Sequence, residues 1–356
     1  MRKELLDIVK CPACDNDKRS CFNLMVEEVD SLEIRKGKVT CNICHAEFGI
    51  KNGILDLLYK PDRQVLAEIE GDIKAAQEGV SKYTDEMLLS LPESAQSKNP
   101  IDSSYAYSIN FYNALEELEV IGNELVLDLG SGNTWSSRKF ARKGCKCVAL
   151  DISTAKFKGL ESADVYFRHD AIFYDRVVSD MKRLPFVDNS FDIIMTNSSI
   201  HHATSLRCVL CEINRVLRNN GRLALINEAV CGIFSIRRDN RRVNLPEFVK
   251  RFGWTENTYA LPQYLRYLRA EGFIARVLYP QSIDKNLSDI NKIKIDFRNK
   301  SIKHRLAYFI SFIWTNNILR KTAKIVGFWP AMIFFGLPLV LIAKKINIDN
   351  LGRNKG

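Results

Sequence analysis

The sequence predicts an α/β protein: a doubly wound, Rossmann-like parallel sheet preceded by a small metal-stapled ribbon. Three observations predict it. Two C-x-x-C pairs stand at Cys11–Cys14 and Cys41–Cys44. A strand, a glycine turn and a helix follow one another from Leu125 through Gly130-Ser131-Gly132 to Lys143. A second apolar strand, Cys147 to Leu150, ends in Asp151, about 20 residues beyond the turn, where a carboxylate can accept from both hydroxyls of a ribose.

The 356 residues suffice for one full core with smaller attachments, and 46% hydrophobic with 26% charged residues excludes global disorder. The net charge of +10 is concentrated at one end: from Lys285 onward there are 14 Lys or Arg against three Asp, so the rest of the chain is nearly neutral. A surface that tracks nucleic acid would carry its basic charge over the nucleotide-binding part, which argues against that partner. No apolar run of signal-peptide length precedes Cys11, so a cytoplasmic location is expected, where paired cysteines serve as metal ligands and the other six as reduced thiols.

Residues 1–60 read as a ribbon. Two C-x-x-C turns aim four thiolates, Cys11, Cys14, Cys41 and Cys44, at one tetrahedral zinc with no open position, and the ion supplies much of the folding free energy of so small a unit. Cys21 and His45 are left outside the site. The run Glu4 to Cys14, the pair Cys41–Cys44 and Ile50 to Leu55 together resemble the small zinc domain typified by the activator subunit of eukaryotic tRNA and protein methyltransferases. The resemblance covers residues 1 to about 58 and implies a methyltransferase neighbour, not a substrate.

Residues 61–104 form a linker with helices, including Gln64 to Gln77, and a polar stretch from Pro92 to Ser104. Tyr105 to Leu118 has apolar residues at helical spacing, Tyr105, Ile109, Tyr112 and Leu115, whose aromatics read as core packing ahead of a cofactor box, although a helix just before the first strand of such a fold often lies across the ligand pocket.

The core, residues 105–283, continues beyond Asp151 with Asp180-Met181-Lys182-Arg183-Leu184-Pro185-Phe186, the strand Phe191 to Met195, Ile200-His201-His202, and Glu212 to Gly221. These runs closely resemble the class I S-adenosylmethionine-dependent methyltransferases. The resemblance implies a seven-stranded sheet. It assigns Asp128 and the turn Gly130, Ser131, Gly132 to the methionine end of the cofactor, Asp151 to the ribose and Asp180 to the adenine amino group, with Met181 and Asn197 completing the pocket. Asp170 is a rival for the adenine role, but Asp180 alone is in register with Leu184-Pro185-Phe186. Thr134 stands where the turn often has a third glycine. A dinucleotide enzyme needs that glycine for its pyrophosphate, whereas S-adenosylmethionine has no phosphate.

Methyl transfer from a sulfonium is an in-line displacement, and a hydroxyl acceptor must also lose a proton. His202, just past the fourth strand, is the expected base and Glu228, at the end of the fifth, the second candidate. Cys208 and Cys211 read as core. Gly253 to Phe273 resembles, more loosely, methyltransferases of bacterial glycan biosynthesis, which implies a saccharide or lipid-linked saccharide acceptor. The alternative is RNA, because large-subunit rRNA guanine methyltransferases also join a zinc ribbon to this fold. A cofactor domain reduced to a scaffold is a third class, against which the intact Asp128, Asp151 and Asp180 argue. Residues 284–336 read as a helical, apolar and basic insertion before a final strand and tail, 337–356. The uncharged run from Ile325 to Ala343 is broken by Pro330 and Pro338, which favours a peripheral contact with the inner membrane face over a span.

Overall fold

The computed structural model describes residues 1–14, 21–80, 83–93, 104–156, 158–232, 247–282, 329–330, 332–333 and 338–346. The sheet has eleven strands rather than the expected seven, because the ribbon does not stand apart. Its strands β1 (Phe22–Val29), β2 (Ile34–Cys41), β3 (Glu47–Lys51) and β4 (Ile54–Asp56) pair antiparallel in sequence order. β4 then pairs in parallel with β7 (Asp175–Val178), matching Ile54 to Arg176 and Asp56 to Val178.

From β7 the sheet continues through β6 (Lys146–Asp151), β5 (Leu125–Leu129), β8 (Phe191–Asn197) and β9 (Leu217–Glu228), all parallel. The last two, β13 (Leu339–Lys345) and β12 (Phe273–Val277), are antiparallel, with the final strand β13 inserted between β9 and β12. A separate two-stranded pair joins β10 (Val230–Cys231) to β11 (Tyr259–Ala260). The near-continuous burial of β5, β6 and β8 is what a parallel strand covered on both faces requires.

Ribbon and core share one apolar layer. Val9, Val39, Phe48 and Ile50 lie in the same cluster as Phe186, Leu210 and Ile213. A backbone bridge joins Val9 to Phe186, flanked by Lys10 N to Pro185 O at 2.9 Å and Val187 N to Ile8 O at 2.9 Å. Beside β4 and β7 the fully buried Arg176 guanidinium pairs with Glu33 of the ribbon and, at 2.8 Å, with Asp164 of the core. A buried cation is tolerated only with such partners.

Eight helices are described. These are α1 (Arg63–Gln77), α2 (Asp85–Leu89), α3 (Ser104–Glu117), α4 (Trp135–Arg142), α5 (Ala163–Asp170), α6 (Leu206–Val216), α7 (Glu247–Phe252) and α8 (Leu261–Ala270). Among the described side chains, α3 has the core-packing role read from its aromatics. It packs on the sheet, burying Phe111, Ala114 and Leu118 with Val126, Phe140 and Val340. Cys208 and Cys211, expected in the core, are exposed on α6, whose buried stripe is Leu206, Val209, Leu210, Ile213 and Val216. Most of the expected insertion at 284–336 lies outside the described residues. No helix among the described residues is long and apolar enough to cross a membrane.

Candidate functional site

A cavity of about 510 Å³ opens at the carboxyl ends of β5, β6, β7 and β8, the edge at which open α/β sheets bind ligands. Its floor is the turn after β5. Gly130 takes φ +69°, and a Cβ there would lie 2.5 Å from that of Ser199, so only glycine fits. Gly132 takes φ +50° and donates its N–H to Asp151 Oδ2 at 2.8 Å, while Asp151 Oδ1 accepts from Ser153 N at 2.9 Å. These bonds fix the Asp151 carboxylate at the cavity wall. Burial pushes its carboxyl up, against the pull of the two N–H groups. Thr134, where a third glycine was missing, adopts a left-handed φ of +61°, and its hydroxyl meets that of Tyr174 at 2.8 Å.

Asp180, Met181 and Asn197 line the cavity as expected. Asp180 Oδ1 accepts from Lys182 N at 2.9 Å. Asn197 Oδ1 accepts from Asn227 Nδ2 at 2.9 Å, and Asn227 Oδ1 from Asn110 Nδ2 at 2.7 Å, so α3 supports the site through a chain of amides. The rival Asp170 does not reach the cavity. It pairs with Arg138 at 2.5 Å, and that bond, working against burial, holds its carboxyl down at about 2.

Asp128 is a correction. It does not line the cavity but lies beneath the turn, 1% exposed, accepting from Ser136 Oγ and Ser137 Oγ at 2.6 Å each. It therefore shapes the start of α4, where an anion also suits the helix dipole, instead of touching a ligand. Burial pushes its carboxyl up to about 6.

The two expected bases separate in the same way. Glu228 is fully buried and outside the cavity lining, accepting from Thr196 Oγ1 at 2.6 Å and Ser199 N at 3.0 Å and facing His201 Nδ1 at 2.7 Å. Those contacts occupy its lone pairs, which removes it as a base. His202 does line the cavity. Its Nδ1 faces the Thr255 carbonyl oxygen at 2.5 Å, so that nitrogen carries a hydrogen and the neutral ring keeps its lone pair on Nε2. His201, between them, is 4% exposed, and its Nε2 lies 3.3 Å from Glu256 Oε2. Burial alone would lower its imidazole, but Glu228 and Glu256 push it up to about 10.

Sequence reasoning missed the roof. α1, read as linker, lies over the cavity and presents Gln64, Glu68 and Asp72 at four-residue spacing. Asp62 caps it, accepting from Gln64 N and Val65 N at 3.0 Å, and also pairs with Lys182. Asp72 accepts from Lys158 Nζ at 2.6 Å and Trp254 Nε1 at 3.0 Å, and Glu68 from Thr255 N at 3.0 Å. The Lys158 ammonium sits 3.9 Å from the Trp254 ring centre. A Cβ on Gly71 would approach the Phe252 carbonyl oxygen to 1.9 Å, so α1 and α7 are in backbone contact. The polar spacing along α1 was the only signal, and on a helix it reads equally as a solvated face. Two buried atoms of the lining, Ser131 Oγ and Gln64 Oε1, have no protein partner. In a ligand site such atoms are the ones a ligand satisfies.

In the ribbon, the Cys11 and Cys44 sulfurs are 3.7 Å apart and those of Cys14 and Cys41 3.6 Å, with all four within 4.8 Å of one another. Tetrahedral zinc with bonds of about 2.3 Å sets sulfur separations of about 3.8 Å, so the cluster is compatible with one zinc ion.

Residues 127–225 match the family described as a methyltransferase domain. Relatives include a demethylmenaquinone methyltransferase of Corynebacterium glutamicum, 33% identical over 110 residues that make up 31% of this chain and 44% of that protein. Another is a malonyl-[acyl-carrier protein] O-methyltransferase of Buchnera aphidicola, 28% identical over 133 residues, 36% of this chain and 50% of the relative. The chain thus spans about half the length of the curated relatives it matches. Among solved structures, a phosphoethanolamine N-methyltransferase 2 of Haemonchus contortus with bound S-adenosyl-L-methionine aligns with a TM-score of 0.45 and 20% identity over 74% of this chain and 58% of the other. A chain of the complex between the Haloferax volcanii Trm112 methyltransferase activator and a methyltransferase aligns with 0.45 and 18% over 75% and 100%. The strand, turn and acid geometry and the matched region agree: residues 127–225 form a methyltransferase domain with a Rossmann-like α/β fold.

Proposed function

We propose that the chain transfers the methyl group of S-adenosylmethionine to a small-molecule acceptor, a saccharide or lipid-linked saccharide of cell-surface glycan biosynthesis. The observation that carries this reading is the single cavity in which the Asp151 carboxylate and the His202 imidazole both meet ligand space. The cofactor supplies an electrophilic methyl group. Asp151 would hold the ribose, Asp180 and Met181 the adenine, and the Gly130–Gly132 turn with Ser131 Oγ the methionine end. The acceptor's proton would leave at the His202 end.

The lining also bears on the acceptor. Among the described residues, Glu68, Asp72, Asp151, Asp180 and Glu256 share the lining with two lysines, Lys158 and Lys182, a balance that repels phosphodiesters and suits neutral or cationic molecules. Carboxylates beside Trp254 offer acceptors for sugar hydroxyls and an apolar ring. Two matched relatives are named for demethylmenaquinone and malonyl-[acyl-carrier protein], which supports an acceptor other than RNA. Peripheral membrane contact through residues 284–336 is proposed on their basic and apolar composition. A structural zinc in the ribbon is proposed on the thiolate geometry.

The test is calorimetry with S-adenosylmethionine, followed by incubation of methyl-labelled cofactor with glycan-lipid extract and, separately, with total RNA. One-to-one binding and label in the glycan fraction are expected. Label in RNA would overturn the acceptor class, and no cofactor binding would overturn the reading itself.

A further inference from the structure

We propose that His201, His202 and Glu256 form a second metal centre, a 2-His-1-carboxylate site for a divalent first-row ion on the acceptor wall of the cavity. One ring nitrogen of each histidine and one carboxylate oxygen of Glu256 all lie within 4.8 Å of one another. His201 Nε2 and Glu256 Oε2 are 3.3 Å apart. Two ligand atoms bound at about 2.1 Å to one ion, at right to tetrahedral angles, are about 3.0–3.4 Å apart, which is the spacing found.

The way the rings are held is the stronger observation. Metal-binding imidazoles donate their other N–H to a carboxylate or backbone carbonyl, which fixes the ring and makes the ligating nitrogen more basic. Both arrangements occur here: His201 Nδ1 faces Glu228 at 2.7 Å and His202 Nδ1 faces the Thr255 carbonyl at 2.5 Å. Glu228 is in turn pinned by Thr196 Oγ1 and Ser199 N. The buried Glu228, which has no contact with the cavity, thereby acquires a purpose. The two rings are 4.5 Å apart and 31° from parallel, the His202 ring lining the cavity and the His201 ring buried beside it.

Three protein ligands leave coordination positions open, and His202 and Glu256 line the cavity, so those positions face the acceptor. Nitrogen and oxygen donors separate this centre from the four-thiolate ribbon site and favour ions such as Mn²⁺ or Fe²⁺. Binding displaces the proton shared by His201 Nε2 and Glu256 into solvent. An acceptor hydroxyl on the ion would lose its proton to water at the cavity mouth. Its oxygen would then bond to the methyl carbon as the carbon–sulfur bond breaks, the electron pair staying on sulfur. That catalytic use rests on the methyl-transfer reading, whereas ion binding does not.

The experiment titrates the zinc-loaded full chain with Mn²⁺ and reads free ion by electron paramagnetic resonance, with cofactor calorimetry on the same samples. One Mn²⁺ per chain is expected, with affinity reduced about tenfold or more in Glu256→Gln at unchanged zinc content and melting temperature. Should Glu256→Gln fold poorly, His202→Asn on the same wall serves the same comparison. The absence of stoichiometric Mn²⁺ binding, or binding unchanged in a folded variant, would overturn the centre. Cofactor binding without Mn²⁺ binding would remove the centre and leave the methyl-transfer reading. Mn²⁺ binding without cofactor binding would do the reverse.

Discussion

The two ends of the cavity are built differently. The cofactor end is centred on one continuous stretch, β5, its turn, α4 and β6, to which Asp180, Met181 and Asn197 are added from after β7 and the end of β8; within the stretch the turn donates to the acid at the end of β6, and an acid within β5 anchors the start of α4. The acceptor end is assembled from α1, the segment after β8 and residues 254–256, with 138 positions between Gln64 and His202 and 53 between His202 and Thr255, held by side-chain bonds such as Gln64 Nε2 to the His202 carbonyl at 2.7 Å. A local unit leaves a pattern in the sequence because its spacing is fixed by the backbone. A long-range assembly leaves none, since any polar residue on any covering element can take part.

The largest effect expected on this contrast is at Asp151. Replacing it with Ala removes a charged acceptor for two hydroxyls and should weaken S-adenosylmethionine binding by about a hundredfold, measured by calorimetry, with the melting temperature little changed. Wild-type affinity would break the division of the cavity at its cofactor end. His202→Ala should act on the other end only. Turnover on the acceptor is expected to fall about a hundredfold while cofactor affinity stays within a factor of two or so. A variant that loses cofactor binding instead would merge the two ends into one unit.

Asp170 sharpens the comparison with a smaller effect. Its folded carboxyl sits near 2 and its unfolded one near 3.8, so the folded state favours the ionised form. Its contribution is complete above about pH 4 and is lost as pH falls toward 2. It amounts to about 2 kcal/mol, from 1.4 kcal/mol for each pH unit of difference. Asp170→Asn should lower stability by that amount at neutral pH, with the gap to wild type closing through pH 4 to 2 in denaturant titrations, and should leave cofactor affinity unchanged. A loss of affinity would return to Asp170 the adenine role proposed for Asp180.

What could be read in the sequence follows the same division. The Cys quartet, the turn, the placement of Asp151 and Asp180 at the cavity and the existence of a final strand were legible because each depends on near neighbours or on a register motif. Asp128 was legible as important but not as buried, since an acid in a strand before a glycine turn can point at the ligand or under the helix, and only the Ser136 and Ser137 hydroxyls decide which. Glu228 was misread for the same reason, its partners lying on β8 and the segment after it. The roof was hidden because Gln64, Glu68 and Asp72 have the spacing of any solvated helix face.

The pairing of β4 with β7 has a further consequence. Parallel sheets pair their backbone groups only with neighbours, and a bare lateral strand invites a stranger. The residues before position 60 occupy that flank, with a buried cation, Arg176, at the seam. A chain without its first 60 residues would leave the β4-facing backbone groups of β7 unpaired and the Arg176 guanidinium with Asp164 but without Glu33, an open edge of the kind that invites self-association. The cysteine quartet sits against that same core, Cys11 and Cys14 sharing a small cavity with Leu184, Pro185 and Arg215.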